Sequence, residues 1–241
     1  ATNLIHANMS KPLLEIDWCT AKAATYACKH WHYSRILPVG KLFKIGAWED
    51  GRFIGCCIFS RGACANLFKP YGLSQTDGCE LTRMAFCEHK VEMSKVMSIA
   101  IKFLKRTCPG IRLVISFADT TKGHHGGIYQ AGNWIYNGLA KGSKGYIIKG
   151  RATHQRGIHK YVPKLTLENV RKYVDKYATE VPPSYKHRYL MPLDKKLRRQ
   201  LTPLAQPYPK RAQSIVSDAP CNQQGEGGAT PTCALHPDAE A

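Results

Sequence analysis

Residues 111–119 read IRLVISFAD, a nearly continuous apolar run that ends in a carboxylate. A run without polar alternation is typical of a strand that is buried on both faces, as strands in α/β sheets are. The preceding residues 91–108 have the apolar spacing of an amphipathic helix, and Pro109-Gly110 ends that helix. A helix followed by a buried strand predicts a mixed α/β domain.

Residues upstream of this strand complete the predicted sheet. Two apolar runs, LFKIGAW (42–48) and RFIGCCIFS (52–60), flank an Asp-Gly pair, which is a strong hairpin pattern. CELTRMAF (79–86) predicts a third strand, and DWCTAKAATYACKH (17–30) predicts a helix before the hairpin. Downstream, GGIYQAGNWIYNG (126–138) predicts a short helix. We therefore expect an α/β fold with a central mixed sheet flanked by helices.

Positive charge is concentrated after residue 140. The chain has 35 Lys and Arg against 17 Asp and Glu, a formal net charge of +18, and residues 141–211 contain 18 basic and 4 acidic residues. A dense basic segment favours a polyanionic partner, because phosphate contacts release condensed counterions. The alternative is a charge that only keeps the protein soluble. We expect a nucleic acid as the partner.

Composition divides the chain into three parts. Residues 1–150 are predicted to form one mixed α/β domain, 151–212 a basic helical arm, and 213–241 a disordered tail without Lys or Arg. No stretch approaches the roughly 20 apolar residues of a membrane helix, and the N-terminal residues lack the pattern of a signal peptide. We expect a soluble intracellular protein with no membrane partner. The ten cysteines lack CxxC spacing and are expected to be reduced core thiols.

Two groups of side chains are candidates for chemistry. His32 and Tyr33, after the first helix, could bind a metal, transfer protons or contact an anion; the alternative is an aromatic packing cluster. Asp119 ends the buried strand, and His124 and His125 follow on a glycine-rich loop. Together they could form a general base or a metal site. The alternative is that Asp119 caps the next turn and the histidines are solvated.

Four segments carry a resemblance to a known family. HWHYSR (30–35), ELTRMAF (80–86), SFAD (116–119) and GHHGGIYQAGNW (123–134) occur in the order found in the Mom DNA-modification protein of phage Mu and its relatives. The order of elements also resembles the GCN5-related N-acetyltransferase fold, in which a helix similar to IYQAGNW carries a tyrosine used as general acid. The match covers roughly residues 1–140.

The resemblance implies an enzyme that converts adenine in phage DNA to a form carbamoylmethylated at the exocyclic amine. Residues 1–150 would then be the catalytic domain, and the basic arm of residues 151–212 would bind double-stranded DNA. This modification protects the DNA from host restriction enzymes and would take place in the cytoplasm of the bacterial host. Carried over by motif, the catalytic residues are His32, Tyr33, Asp119 and Tyr129. Trp31, Tyr33 and Tyr129 are expected to line the cleft that receives an extruded adenine. The oligomeric state stays open, a homodimer being one alternative.

The cofactor is not decided by the resemblance. Acetyltransferases of this fold bind the coenzyme A pyrophosphate on a glycine-rich turn, whereas residues 88–96 here read EHKVEMSKV, without glycine. This departure counts against acyl-CoA and leaves His32, Tyr33 and Asp119 as a candidate metal site, with iron as the metal.

Two other functions remain open at this stage. One is an acetyl-CoA-dependent N-acetyltransferase that acts on a protein or a small amine. The other is a non-catalytic DNA-binding protein. Acetyl-CoA binding would support the first, and activity that survives loss of His32 would support the second.

Overall fold

The computed structural model describes residues 12–62, 64–142 and 144–210. The predicted tail, 213–241, lies outside these residues. The strands are β1 (Leu14–Trp18), β2 (Leu42–Glu49), β3 (Arg52–Ser60), β4 (Gly78–Phe86), β5 (Leu113–Asp119), β6 (Ile135–Lys141), β7 (Gly145–Ile148), β8 (Arg151–His154), β9 (Thr179–Val181) and β10 (Tyr185–Pro192). The α-helices are α1 (Ala21–Trp31), α2 (Met93–Thr107), α3 (Gly127–Ala131), α4 (Gln155–Ile158), α5 (Leu167–Tyr173) and α6 (Lys195–Leu201).

Seven strands form a central sheet in the order β1-β2-β3-β4-β5-β10-β6. Neighbouring strands are antiparallel except β4 and β5, which pair in parallel and are connected by α2. The predicted mixed α/β fold with a central sheet flanked by helices is therefore confirmed. The predicted hairpin is β2–β3, with its turn at Asp50-Gly51, both at positive φ.

Helix α2 buries its apolar face against one side of the sheet. Val96, Met97, Ala100 and Leu104 are all almost completely buried. Met97 and Leu104 share a hydrophobic cluster with Trp134 from the chain after α3. This packing supports the part of the sheet from which the candidate site is built.

Strand β10 is a correction to the predicted helical arm. Residues 151–204 do contain three α-helices, but β8, β9 and β10 lie among them. In β10, Tyr189 and Leu190 are both fully buried, and they belong to different hydrophobic clusters. Because successive side chains of a strand point to opposite faces, these two residues anchor β10 between β5 and β6 in a sheet that is covered on both sides.

Two smaller boundaries also differ from prediction. The first helix begins at Ala21, where Thr20 Oγ1 accepts a hydrogen bond from the Ala23 backbone N–H at 3.1 Å, and the preceding residues form the edge strand β1. The helix predicted over 126–138 ends at Ala131, because Asn133 adopts positive φ and the chain enters β6. Helix α5 has Thr166 as its N-cap, and the Thr166 side chain accepts a hydrogen bond from the Asn169 backbone N–H.

A second, three-stranded antiparallel sheet has the order β8-β7-β9. Its own small core contains Tyr146, Ile158, Val162 and Val170. Residues 145–181, which we call the satellite sheet segment, thus form a packed unit beside the central sheet. In the described part of the chain, no helix has the length and apolar content needed to cross a lipid bilayer.

Candidate active site

A cleft opens where β4 and β5 separate. The two strands pair from Gly78–Leu113 to Leu81–Ser116, and no further pairs follow although both strands continue. The resulting cleft has a volume of about 660 Å³. All four segments that carry the resemblance supply lining residues: 31–33 after α1, 81–84 and 86 of β4, 117–118 of β5, and 123–129 at α3.

His32 lines the cleft with a side chain that is only 8% exposed. Its Nδ1 accepts a hydrogen bond from the Ser34 backbone N–H at 3.1 Å and lies 2.7 Å from Ser34 Oγ. Since a backbone N–H can only donate, the neutral ring carries its proton on Nε2. Burial, then the charge of Arg83, then His124 lower the pKa of His32 to about 4. His32 is therefore a neutral hydrogen-bond donor at neutral pH.

Tyr33 and Tyr129 lie in the same cleft as His32. Tyr33 is 57% exposed, with its ring centroid 4.3 Å from that of His32 and 6.0 Å from that of His124. Tyr129 is more enclosed, and its hydroxyl lies 2.8 Å from Ser116 Oγ. Burial raises the pKa of Tyr129 to about 12, despite the opposing hydrogen bond from Ser116. Tyr129 therefore stays a phenol that can donate a proton or a hydrogen bond.

Asp119 does not line the cleft. Its Oδ1 accepts hydrogen bonds from the Thr121 backbone N–H at 3.0 Å and from Thr121 Oγ1 at 2.7 Å, and its Oδ2 lies 3.8 Å from Lys186 Nζ. Burial acts to raise the pKa of Asp119, but Thr121 and the charges of Lys186 and Lys122 lower it by more. The carboxylate thus caps the short turn that leads to the histidine loop, which is the alternative left open by the sequence.

His124 and His125 both line the cleft, whereas Glu80 does not. Two hydrogen bonds hold the loop that carries the histidines. The His125 carbonyl oxygen accepts from Tyr189 OH at 2.6 Å and from Gln130 Nε2 at 3.3 Å. Sequence reasoning did not single out Arg83, which lines the cleft. Its position inside the ELTRMAF segment was the available signal.

The donor set does not fit an iron site. Among the described residues no group of three His, Cys, Asp or Glu side chains is arranged to hold a metal ion. A metal on His32 Nε2 would also move the ring proton to Nδ1, where the Ser34 N–H already donates. With Asp119 engaged outside the cleft, the predicted set of His32, Tyr33 and Asp119 is not brought together.

The turn between β4 and α2 does not fit the pyrophosphate of coenzyme A. Glu49, 4% exposed, reaches this turn from the end of β2. Its carboxylate accepts from the Lys90 backbone N–H at 3.0 and 3.1 Å and from the Val91 backbone N–H at 2.8 Å. Two amides of this turn, those of Lys90 and Val91, are therefore already bound to a buried negative charge of the chain itself, which disfavours a second anion beside them.

Comparisons with solved structures return acetyltransferases. The chain is similar to a putative acetyltransferase from Acinetobacter baylyi, with 10% identity, a TM-score of 0.42, and coverage of 77% of this chain and 94% of that chain. It is also similar to a probable acetyltransferase from Staphylococcus epidermidis, with 7% identity, a TM-score of 0.44, and coverage of 76% and 100%. A putative acetyltransferase from Salmonella typhimurium, with its cofactor acetyl-CoA, gives 9% identity, a TM-score of 0.43, and coverage of 76% and 95%.

Sequence comparisons give one family. The family model of the Mom protein family matches residues 13–210. No curated protein matches the sequence significantly.

Proposed function

The chain belongs to the Mom protein family, and from this premise we propose that it transfers a group to the exocyclic amine of adenine in double-stranded DNA. The product is adenine carrying a carbamoylmethyl group, which protects phage DNA from host restriction enzymes in the bacterial cytoplasm. The observation that supports this most directly is the convergence of four distant segments on one cleft with polar, aromatic and imidazole side chains.

The base is the part of DNA that the cleft suits. A duplex hides the exocyclic amine of adenine from any pocket, so the nucleotide must be extruded first. Trp31 and Tyr33 lie at the cleft and offer aromatic rings on which a flipped base can stack. A cleft of about 660 Å³ has room for a base together with a small donor group.

We assign the proton transfers of this reaction to different side chains of the cleft. The amine of adenine is a weak nucleophile because its lone pair is delocalised into the ring, so its proton needs an acceptor as the new bond forms. We assign that acceptor to His124, which faces Tyr33. As the new N–C bond forms, the bond between the transferred carbon and its leaving group breaks. His32, through Nε2–H, donates a hydrogen bond to the charge that develops on the leaving group, and Tyr129, through its phenol, gives the leaving group a proton. Asp119 is a positioning residue that holds the loop carrying His124.

The satellite sheet segment supplies a surface for the DNA backbone. Residues 145–181 contain eight Lys and Arg against three Asp and Glu. Tyr161, Tyr173 and Tyr177 are exposed, and each ring is covered by the ammonium group of the preceding lysine at 4.8, 5.2 and 4.8 Å from the ring centroid, respectively. Cationic and aromatic groups in this arrangement contact phosphates and sugars without reading sequence.

The test is mass spectrometry of nucleosides from DNA of cells that express the chain. We expect a new adenosine-derived nucleoside whose mass identifies the transferred group. A Tyr129→Phe variant, which keeps the ring packing against Trp134 and Tyr189, should lower its amount by about 10²–10⁴-fold, the usual contribution of a positioned proton donor.

An unchanged nucleoside profile, with folded wild-type protein present, would overturn the proposal. Acetyl-CoA binding by the same protein would then favour the acetyltransferase alternative. The occupation of the β4–α2 turn by Glu49 argues against that result.

A further inference from the structure

Arg83 brings a positive charge to the cleft, and the described residues that line the cleft include no Asp or Glu. It lies in β4 and lines the cleft beside Thr82. One terminal nitrogen, Nη1, donates to the Thr82 carbonyl oxygen at 2.7 Å. The Nε atom is buried, and within the described part of the chain it has no hydrogen-bond partner. A buried N–H of a charged group without an acceptor costs free energy, so its retention calls for a ligand.

The other polar groups of the cleft also lack a compensating negative charge. No Asp or Glu is among the described residues that line it. His32 presents Nε2–H, and Tyr129 presents a phenol. The cleft is therefore rich in donors and positive in charge, a combination that attracts anions. A flipped adenine is uncharged, so the base by itself does not account for Arg83.

We propose that the cleft binds an oxyanion, a carboxylate or phosphate group of a reactant, on the guanidinium of Arg83. Because Nη1 is directed to Thr82, the other edge of the guanidinium, formed by Nε and Nη2, is the one that can pair with carboxylate or phosphate oxygens in bidentate fashion. Nε is buried in the structure, so pairing through this edge requires the groups that cover Nε to move aside when the ligand binds. The inference rests on the proposed function for the identity of the reactant. The oxyanion belongs either to the group donor or to the DNA phosphate beside the extruded adenine.

Binding is measured on the guanidinium itself. In protein labelled with ¹⁵N-arginine, inorganic phosphate is titrated at constant ionic strength, and the Nε–H resonance of Arg83 is identified by its loss in Arg83→Met. We expect a saturable shift of this resonance and none for Arg106, an exposed arginine of α2 that serves as control. No saturable shift at Arg83, or an equal shift at Arg106, would overturn the proposal.

A stability measurement separates a binding residue from a structural one. In chloride buffer, we expect Arg83→Met to melt at the same temperature as the wild type or higher, because the substitution removes a buried unpaired charge. Added phosphate should raise the Tm of the wild type, while the response of Arg83→Met should fall to what remains at other basic sites. A lower Tm of Arg83→Met in chloride, with an unchanged response to phosphate, would contradict the inference.

A duplex oligonucleotide that contains adenine distinguishes the two sources. If the oligonucleotide shifts the Arg83 resonance and prevents the phosphate shift, the ligand is a DNA phosphate. If phosphate still shifts the resonance in the DNA complex, the ligand belongs to the donor. Neither readout needs catalysis. If the cleft binds the anion but no modified nucleosides form, only the proposed function is overturned. If modified nucleosides form but phosphate does not shift the Arg83 resonance, only this inference is overturned.

Discussion

His32 accepts a hydrogen bond at Nδ1 from Ser34 and is almost completely enclosed. Residue type alone allowed a base, a metal ligand or a packing residue at this position. The bond from Ser34 places the proton on Nε2, and burial beside Arg83 keeps the ring neutral. At the scale of single residues, hydrogen bonding and burial therefore determine which of several possible roles the His32 side chain can have.

The lowered pKa of His32 makes stability depend on pH. The unfolded chain protonates His32 near its ordinary value of 6.5, whereas the folded protein does so only near 4. The unfolded state thus binds more protons between these values, and the free energy of unfolding should fall by about 2 kcal/mol from pH 7 to pH 5. Urea unfolding at both pH values measures this loss.

A variant pair isolates the contribution of His32. His32→Gln should reduce the loss between pH 7 and pH 5, whereas His30→Gln, at an exposed position of α1, should leave it unchanged. An identical pH dependence in the wild type and His32→Gln would mean that His32 has the same pKa in the folded and the unfolded state, and would contradict the prediction.

Substitutions of Asp119 distinguish a residue that caps a turn from a residue that acts as a catalytic base. Asp119→Asn keeps an oxygen that can accept from Thr121, so we expect adenine modification to stay within about tenfold of the wild type. Asp119→Ala removes the cap and should cost about 1 kcal/mol of folding stability. Nucleoside mass spectrometry and urea unfolding measure these effects. An Asn variant as inactive as Tyr129→Phe would instead make Asp119 a catalytic base.

Gly126 marks a close approach beneath the histidine loop. It has φ +81°, and an added Cβ would lie 2.3 Å from the ring of Tyr189. Gly126→Ala should therefore destabilise the protein by about 3 kcal/mol or more. Gly123, at φ +68° with open space around a Cβ, is the matched control and should cost about 1–2 kcal/mol on substitution by alanine. Thermal unfolding compares the two; equal costs would mean that the Tyr189 ring yields.

At the scale of elements, β10 connects β6 to the rest of the central sheet, because it pairs with β5 on one side and with β6 on the other. It pairs with β5 over seven residues, from Lys186–Asp119 to Pro192–Leu113, and with β6 on its other side. Its residue Tyr189 supports the His125 carbonyl oxygen from within the sheet. A strand that comes late in the chain therefore positions the loop of the cleft.

The buried side of β10 should be sensitive to truncation. Leu190 is fully buried against α6, and Leu190→Ala should lower the free energy of unfolding by about 2–5 kcal/mol through lost burial and a cavity. Leu139→Ala, in the neighbouring β6 but 57% exposed, should cost less than about 1 kcal/mol. Urea unfolding gives both values. Similar small costs would mean that β10 is not a core strand.

On the scale of the whole molecule, charge and chemistry lie in different parts of the chain. The cleft is built from residues 31–129, whereas the satellite sheet segment carries exposed lysines paired with exposed tyrosines. Under the proposed function, contacts with the DNA backbone and reaction at the base can therefore be changed separately.

Removing the three lysines that cover tyrosines tests this separation. Lys160→Gln, Lys172→Gln and Lys176→Gln together should weaken duplex binding at all sequences and reduce the salt dependence of binding by up to about three phosphate contacts. Fluorescence titrations of labelled duplex at several salt concentrations measure both quantities. Three substitutions on α2, Lys95→Gln, Lys102→Gln and Lys105→Gln, match the charge change elsewhere on the molecule. An equal loss of binding in both variants would show that only the total charge matters.

Local patterns in the sequence were enough to predict much of the framework. The hairpin, the amphipathic helix α2 and the buried strand β5 were all predictable, because periodicity and turn residues act over a few neighbouring positions. Residues 185–192 were predicted as part of a basic arm and not as a strand of the central sheet. Tyr189 and Leu190 of this segment are fully buried, but nothing local shows that it pairs with β5 and β6.

The sequence by itself determined the fold class, the family and the presence of His32, Tyr33 and Tyr129 in one cleft, because short motifs and hydrophobic spacing are local properties. Only the tertiary structure decided that Asp119 caps a turn outside the cleft. The same holds for Glu49, whose carboxylate accepts from the Lys90 and Val91 amides of the β4–α2 turn. It also holds for Arg83, which lines the cleft with no Asp or Glu among the described lining residues. Each of these outcomes depends on which distant segments meet, as Glu49 and Lys90 do across 41 positions of the chain. The burial and hydrogen bonding that set the charge of a side chain exist only once those segments are packed together.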